Sequence, residues 1–392
     1  MTPAARVAAA IGLLDEWLAG APAERLLTNW ARANRYAGAR DRAAIRDLVF
    51  DALRRCRSVA ALGGAQTGRA MMIGLMRARG EDLNVLFTGE GYGPAPLCEA
   101  EWNAGLAPDD LPELVGCDCP EALAPVLRDS LGRDFLPVMH ALQDRAPVFL
   151  RVNTRLASLE QARATLAAEG IETRSHPLSP TALEVTSNAR RIQAGRAFAD
   201  GLVELQDAAS QAVADMMPLI PGGRFLDYCA GGGGKTLALA ARGEGAFFAH
   251  DAAPERMRDL PDRANRAGVR VTIAARPQDA GLFDLVLCDV PCSGSGAWRR
   301  SPEAKWRMTP DDLARLTDVQ AAILDRAAGL VGPGGALGYA TCSLISAENG
   351  AQIDAFVQRN PAWRVEAERQ FSPLEGGDGF FAAVLRRETG EC

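Results

Sequence analysis

The sequence predicts an α/β protein. A doubly wound, mainly parallel sheet is expected over residues 206–392, with a small α+β module over 141–205 and an all-helical segment over 1–140 before it. Three observations carry this. From about residue 206, apolar runs of strand length alternate with helical patterns, the rhythm of β–α–β units. A glycine run, Asp227-Tyr228-Cys229-Ala230-Gly231-Gly232-Gly233-Gly234-Lys235-Thr236, follows the first of those strands and opens a helix. The N-terminal segment instead places apolar residues three and four apart.

In chain order, Val7–Leu14 and Ala43–Leu53 read as amphipathic helices, the second capped by Asp41. Gly91–Pro96 and Ala107–Pro112 are turn-rich breaks. Pro147–Asn153 reads as a strand, Ser158–Glu169 as a helix closed by Gly170, and Ala182–Val185 as a second strand. Further strands are expected at Arg224–Cys229, Ala246–His250, Val269–Ala274, Phe283–Cys288, Ala336–Tyr339 and Phe380–Leu385. Helices are expected at Gln320–Leu330, Ala347–Gln358 and Pro254–Gly268, the last disturbed by Pro261.

A chain of 392 residues with 48% hydrophobic content divides into two or three globular domains. No apolar run is long enough for a membrane span, and the N-terminus has no signal-peptide pattern. The nine cysteines are irregularly spaced and only three histidines occur, so neither a metal site nor a disulfide framework is expected. Free thiols point to a reducing, cytoplasmic setting. The net charge of −6 is unevenly spread. Residues 1–80 hold thirteen arginines against six acids, a net of +7. A basic head on an acidic body suits contact with a phosphate backbone, or is a solvated helical surface. Lysine occurs only at 235 and 305, where a compact ammonium fits and a planar guanidinium does not.

Two cysteine motifs end neighbouring strands: Cys288-Asp289-Val290-Pro291-Cys292-Ser293-Gly294 and Thr341-Cys342-Ser343. Strand ends of this kind are where ligands bind in open α/β sheets. The glycine turn lets a cofactor approach the backbone, and its pattern misses the phosphate-binding G-x-x-x-x-G-K. Asp251 falls some 20 residues on, where a carboxylate reads ribose hydroxyls or caps a helix. A cofactor cradle, a thiolate and an acid in one crevice point to covalent chemistry on a bound electrophile. Arg299, Arg300, Lys305 and Trp306 form a basic loop with an aromatic, suited to flanking nucleotides or to capping a surface.

With these motifs in place, the chain resembles the RNA 5-cytosine methyltransferases of the Sun/Nop family, and among them the bacterial small-subunit ribosomal-RNA methyltransferase B type. Asp41–Val49 resembles the family's NusB-like N-terminal domain, Leu150–Asn153 and Glu204–Gln211 its linker and catalytic entry, and Asp378–Phe381 its closing strand. The resemblance implies a Rossmann-like class I methyltransferase sheet, a NusB-like RNA-binding domain, S-adenosylmethionine as methyl donor and RNA, ribosomal by that likeness, as partner, with the chain acting as a monomer. It implies that Cys342 attacks cytosine C6, Asp289 sits at N3, Cys292 assists loss of the C5 proton, and Lys235 adds positive charge. It carries cofactor binding to Cys229, Ala230, Gly231, Gly232, Gly233, Gly234, Lys235, Asp251, Arg256, Asp289 and Pro291, and RNA contact to Arg299, Arg300, Lys305 and Trp306. Two positions depart from the family pattern. Gly231 stands where proline is usual, which predicts a more mobile loop. Ala275 stands where an acid near the adenine is usual, with Asp279 shifted in register. These departures keep a non-catalytic RNA-binding factor open as an alternative. A DNA cytosine methyltransferase using Cys292 would need a glutamate partner, which Ala347-Glu348-Asn349-Gly350 does not supply in the usual setting.

Overall fold

The computed structural model describes residues 1–388, which divide into two units. The first comprises Met1–Arg145 together with Trp298–Met308; the second comprises Ala146–Ala297 and Thr309 onward. The small module expected over 141–205 is thus part of the second unit.

The first unit is built on five helices: α1 (Pro3–Leu18), α2 (Ala23–Ala33), α3 (Ala39–Arg54), α4 (Cys56–Gly63) and α5 (Gly68–Ala78). Thr2 caps α1 and Thr67 caps α5 through their hydroxyls, each cap stabilising by about 1 kcal/mol. The apolar stripes of the five helices meet in one core around Leu14, Ile45, Leu53, Val59 and Met71. Asp41 is not the cap of α3; Gly38 takes that place. Asp41 lies in the first turn and binds the Met1 amine at 3.2 Å and Arg6 at 2.8 Å.

In the second unit, β1 (Val148–Val152), β2 (Thr173–Ser175), β3 (Ala182–Val185) and β4 (Val203–Leu205) form an antiparallel sheet in the order β2-β3-β1-β4. Helix α6 (Leu159–Ala168) starts at a capping box made by Ser158 and Gln161. The larger sheet contains β5 (Gly223–Asp227), β6 (Gly245–Ala249), β7 (Val271–Ile273), β8 (Phe283–Asp289), β9 (Val331–Thr341), β10 (Trp363–Phe371) and β11 (Phe380–Arg387). Its order is β10-β11-β9-β8-β5-β6-β7, parallel from β9 to β7 and closed by the antiparallel β11 and β10. The sheet is Rossmann-like, and the strand order reverses between β5 and β8, which opens a crevice at their C-terminal ends. Helices α7 (Ala208–Met216), α8 (Gly234–Arg242), α9 (Leu260–Arg266), α10 (Pro310–Ala328) and α11 (Gly350–Arg359) complete the unit. Central strands buried on both faces read as unbroken apolar runs, Leu285-Val286-Leu287-Cys288 being one.

The expected helix over 254–268 is two pieces, a 3-10 turn at Pro254–Met257 and then α9. Pro261 falls in the first turn of α9, where its missing N–H costs nothing, so it starts a helix rather than disturbing one. Helix α10 begins ten residues before the expected Gln320, at a capping box of Thr309 and Asp312. Its exposed polar first turns gave no apolar periodicity to read.

Candidate functional site

Tyr228 N–H donates to Leu287 O at 2.8 Å, and Ala230 N–H donates to His250 O at 2.8 Å. These bonds hold the turn after β5 against the ends of β8 and β6. Gly231 adopts φ +51° and Gly233 φ +79°, both in the left-handed region. A proline fixes φ near −65° and cannot occupy position 231, so the family proline expected there does not belong at this residue. Gly232, whose φ is not positive, is free of that conflict. The Gly231 N–H donates to Asp251 Oδ2 at 2.9 Å, which links the turn to the end of β6.

Asp251, at the end of β6, is buried. It also accepts from Ala253 N at 2.9 Å and from Arg256 Nη1 at 3.0 Å. Asp227, at the end of β5, is buried as well; Thr236 donates to its Oδ2 at 2.7 Å and its Oδ1 has no hydrogen-bond partner. Burial pushes the Asp227 carboxyl up to about 7, against the Thr236 hydrogen bond that favours its ionised form. Cys229, half-buried among the Asp227, Asp289 and Asp251 carboxylates, has its thiol pKa raised, by desolvation first and those charges second. Arg151 reaches from β1 to Gly234 O at 3.0 Å, so the small sheet abuts the glycine turn. Ala275 is exposed, and Asp279 pairs with Arg276 at 2.8 Å.

Lys235, in the first turn of α8, is buried and donates to Asp289 Oδ2 at 2.6 Å. Its ammonium also lies 4.9 Å from the centre of the Phe380 ring. Burial alone lowers the ammonium's pKa, but the charge and hydrogen bond of Asp289, with Cys342 and Asp227 nearby, outweigh burial and raise it. Asp289 keeps a third of its side chain exposed, so this carboxylate faces the crevice while its counter-ion stays dry.

The two motif cysteines meet: Cys292 Sγ lies 3.3 Å from Cys342 Sγ. Their hydrogen bond, then burial, then the neighbouring charges of Cys342 and Glu348 raise the Cys292 thiol well above its ordinary value. Cys292 is therefore held toward its thiol form, and either sulfur can be the donor in the contact between them.

Glu348 is the functional residue that sequence reasoning passed over. It is fully buried and accepts from Ser293 N at 2.8 Å, Ser293 Oγ at 2.5 Å, Ser343 Oγ at 2.5 Å and Gln320 Nε2 at 3.0 Å. Ser293 and Ser343 each directly follow a motif cysteine, so one carboxylate links both cysteine loops. Tyr339 OH donates to Glu348 O at 2.6 Å and Asn349 accepts from Thr341 at 2.6 Å, which fixes the linker itself. The signal lay in Glu348-Asn349, tested in the sequence only as a catalytic pair.

The basic loop turns out otherwise than expected. Lys305 is fully buried and donates to Arg54 O at 2.9 Å; Trp306 Nε1 donates to Leu53 O at 2.6 Å. Arg299 is buried too, and its carbonyl accepts from Arg54 Nε at 2.7 Å. These side chains join the segment to α3 within the first unit instead of facing solvent, because Lys305 and Trp306 fill the open carbonyls at the end of α3. Arg300 alone of the four is exposed. Among the described residues no group of three or more His, Cys, Asp or Glu could hold a metal, and no helix is long and apolar enough to cross a membrane.

A family model described as 16S rRNA methyltransferase RsmB/F matches residues 216–386, and a second, the ferredoxin-like domain of RsmF/B-like methyltransferases, matches 119–191. The Ribosomal RNA small subunit methyltransferase B of Klebsiella pneumoniae is 34% identical over 282 residues, 68% of this chain. The chain belongs to the RsmB/F methyltransferase family. It spans 65% of the length of that relative. The crystal structure of PH0851 shares the fold, with TM-score 0.74 at 22% identity over 99% of each chain. A methyltransferase homologue from Pyrococcus horikoshii has TM-score 0.63 at 25% identity, over 72% of this chain and 100% of that one. In this RsmB/F chain every residue of the cysteine, lysine and glycine-turn cluster, and the larger sheet but for the last residue of β11, lie within 216–386.

Proposed function

We propose that the protein methylates C5 of cytosine in RNA, with small-subunit ribosomal RNA as substrate and S-adenosylmethionine as donor, through a covalent bond between Cys342 Sγ and C6. One observation carries the reading: two thiols 3.3 Å apart, beside a buried lysine bonded to a crevice carboxylate at 2.6 Å. Family membership supports the reaction class.

The residues present fit the donor. Left-handed glycines at 231 and 233 leave the backbone of the turn bare, and the unpartnered Asp227 Oδ1 lies beneath it. Cys229–Lys235, Asp251, Arg256, Asp289 and Pro291 would hold the group. When bound, it supplies the electrophilic methyl that C5 accepts.

The chain's own residues do the rest. Cys292 retains its proton, which leaves Cys342 as the sulfur that attacks. Formation of the S–C6 bond moves the ring's electron pair toward C5, making C5 nucleophilic. As electron density builds on the ring, N3 takes up a proton from solvent that the Asp289 carboxylate holds by accepting its hydrogen bond, the proton leaving again when the adduct breaks down, and the Lys235 ammonium offsets the remaining charge. Removal of the C5 proton re-forms the C5–C6 double bond and breaks the S–C6 bond. Cys292 returns its proton to the departing Cys342 sulfur and takes up the C5 proton; the thiol pair then loses one proton to solvent. The target base must leave its stack to enter such a crevice.

The test is separate replacement of each cysteine, followed by denaturing electrophoresis with labelled RNA. Cys342→Ala should give no RNA–protein adduct, and Cys292→Ala should accumulate one. Adduct lost only in Cys292→Ala would reverse the two roles, and adduct retained in both would sink the covalent mechanism.

A further inference from the structure

We propose that Gln320 is a positioning residue for the release half of the reaction, holding the Cys292 loop by the peptide groups on either side of that cysteine. The proposal deepens the two-thiol reading and rests on it.

Gln320 stands midway along α10 and is fully buried. Leu324 and Ala327 of the same helix pack with Val286 and Tyr339 of the central strands, so the helix is a firm platform. Gln320 Nε2 donates to Pro291 O at 3.0 Å and to Glu348 Oε1 at 3.0 Å. The same Glu348 oxygen accepts from Ser293 N at 2.8 Å. The carbonyl before Cys292 and the N–H after it are thus both tied to one bonded amide–carboxylate pair. Proline has no N–H, so that carbonyl is the one backbone hydrogen-bonding group of Pro291, and Gln320 occupies it. Both neighbours of Nε2 are acceptors, which fixes the orientation of the amide. Its Oε1 is buried and has no hydrogen-bond partner. A buried acceptor left idle destabilises a fold, and an apolar side chain of similar size would avoid that cost. What the amide offers in return is its two N–H bonds to the Cys292 loop and its carboxylate brace.

The Cys342 loop is held by other groups. Cys342 O accepts from Gly296 N at 3.0 Å, Ser343 N donates to Thr341 Oγ1 at 3.2 Å, and Ser343 O accepts from Asn349 Nδ2 at 3.0 Å. Ser343 Oγ reaches Glu348 through Oε2, not through the oxygen that Gln320 binds. Removing the Gln320 N–H groups therefore loosens the sulfur at 292 and leaves the sulfur at 342 held. Attack on C6 needs only Cys342. In release the C5 proton leaves, its bonding pair becomes the C5–C6 double bond, and the S–C6 pair returns to the Cys342 sulfur. Cys292 takes the C5 proton in that step, so release is the half that depends on where its sulfur lies. A displacement of about 1 Å in such a group slows its step about 100-fold.

The experiment is a single-turnover time course with the full chain, saturating S-adenosylmethionine and labelled small-subunit ribosomal RNA. Samples quenched into denaturing electrophoresis read adduct formation and adduct decay separately. Gln320→Met keeps the length of the side chain and loses both N–H donors. It should form adduct within about threefold of the parent rate and release it about 10- to 100-fold more slowly. Gln320→Glu keeps the shape; beside Glu348 the two carboxyl groups share one proton, which leaves Pro291 O without a donor. It should show the same split, and it carries the test if the methionine variant does not fold. A role confined to packing slows both steps together, so equal slowing of formation and decay overturns the proposal. Cys292→Ala is run alongside. Adduct that persists in Cys292→Ala but decays at the parent rate in the Gln320 variants overturns the positioning role alone. Absence of adduct build-up in Cys292→Ala overturns the two-thiol reading and this role with it.

Discussion

Replacing Glu348 tests whether the two cysteine loops depend on one buried carboxylate. Four donors converge on it: Ser293 N, Ser293 Oγ, Ser343 Oγ and Gln320 Nε2, all at 2.5–3.0 Å. Glu348→Ala removes every acceptor and leaves those donors buried. A buried donor without a partner costs about 1–3 kcal/mol, so the loss should reach about 4 kcal/mol or more. Glu348→Gln keeps an oxygen for Ser293 N and Gln320, and presents its amide to two hydroxyls that can turn to accept. Its cost should be about half that of the alanine variant or less. Urea unfolding measures both. In the folded glutamine variant the loops after Cys292 and Cys342 lose their charged link, and a shift on the order of 1 Å can slow chemistry about 100-fold. Single-turnover methyl transfer to saturating RNA reads that effect. Wild-type stability in Glu348→Ala would refute the network. A wild-type single-turnover rate in Glu348→Gln would refute its link to the cysteines.

Other consequences follow from individual contacts. Lys235→Met removes the ammonium that faces Asp289 at 2.6 Å, and should cut adduct formation about 100-fold or more while RNA affinity is retained. Asp227 has its carboxyl raised by burial to about 7, so the native state holds that proton more tightly than the unfolded chain. Its contribution to stability is complete below the ordinary carboxylate range and fades as pH rises through about 7. Between pH of about 4 and 8, stability should fall relative to Asp227→Asn by up to about 4 kcal/mol, read by urea unfolding of both proteins. Gly231→Pro meets φ +51° and the lost Asp251 bond, and should cost about 3 kcal/mol or more. Gly232→Pro should cost less than Gly231→Pro in the same chemical unfolding assay, because the φ at 232 is not positive and the atom nearest its added carbon is the end of the Arg263 side chain.

Much of the site was legible because its chemistry is tied to chain punctuation. Strand-ending motifs announce the crevice, since a buried parallel strand is an apolar run and its polar exit is abrupt. Asp289, Cys292 and Cys342 were all found this way, whereas Asp227 was passed over as the opening residue of the glycine run. Exposed strands such as β2 and β10 were missed, since their residues are charged and no alternation survives. Lys305 shows the opposite error. Its rarity marked it as special, but a lysine beside arginines and a tryptophan has the same composition whether it meets a phosphate or a helix end.

By itself, the sequence determined the sheet, the glycine turn and which side chains have reactive chemistry, because strand and turn propensities and nucleophilic groups are local properties. Tertiary structure alone decided that Cys292 and Cys342 meet, that Glu348 links two loops 50 residues apart, and that Lys305 lies inside the helical unit. Those outcomes depend on burial and on donor–acceptor distances between segments far apart in the chain, and these arise only once the sheet brings the segments together.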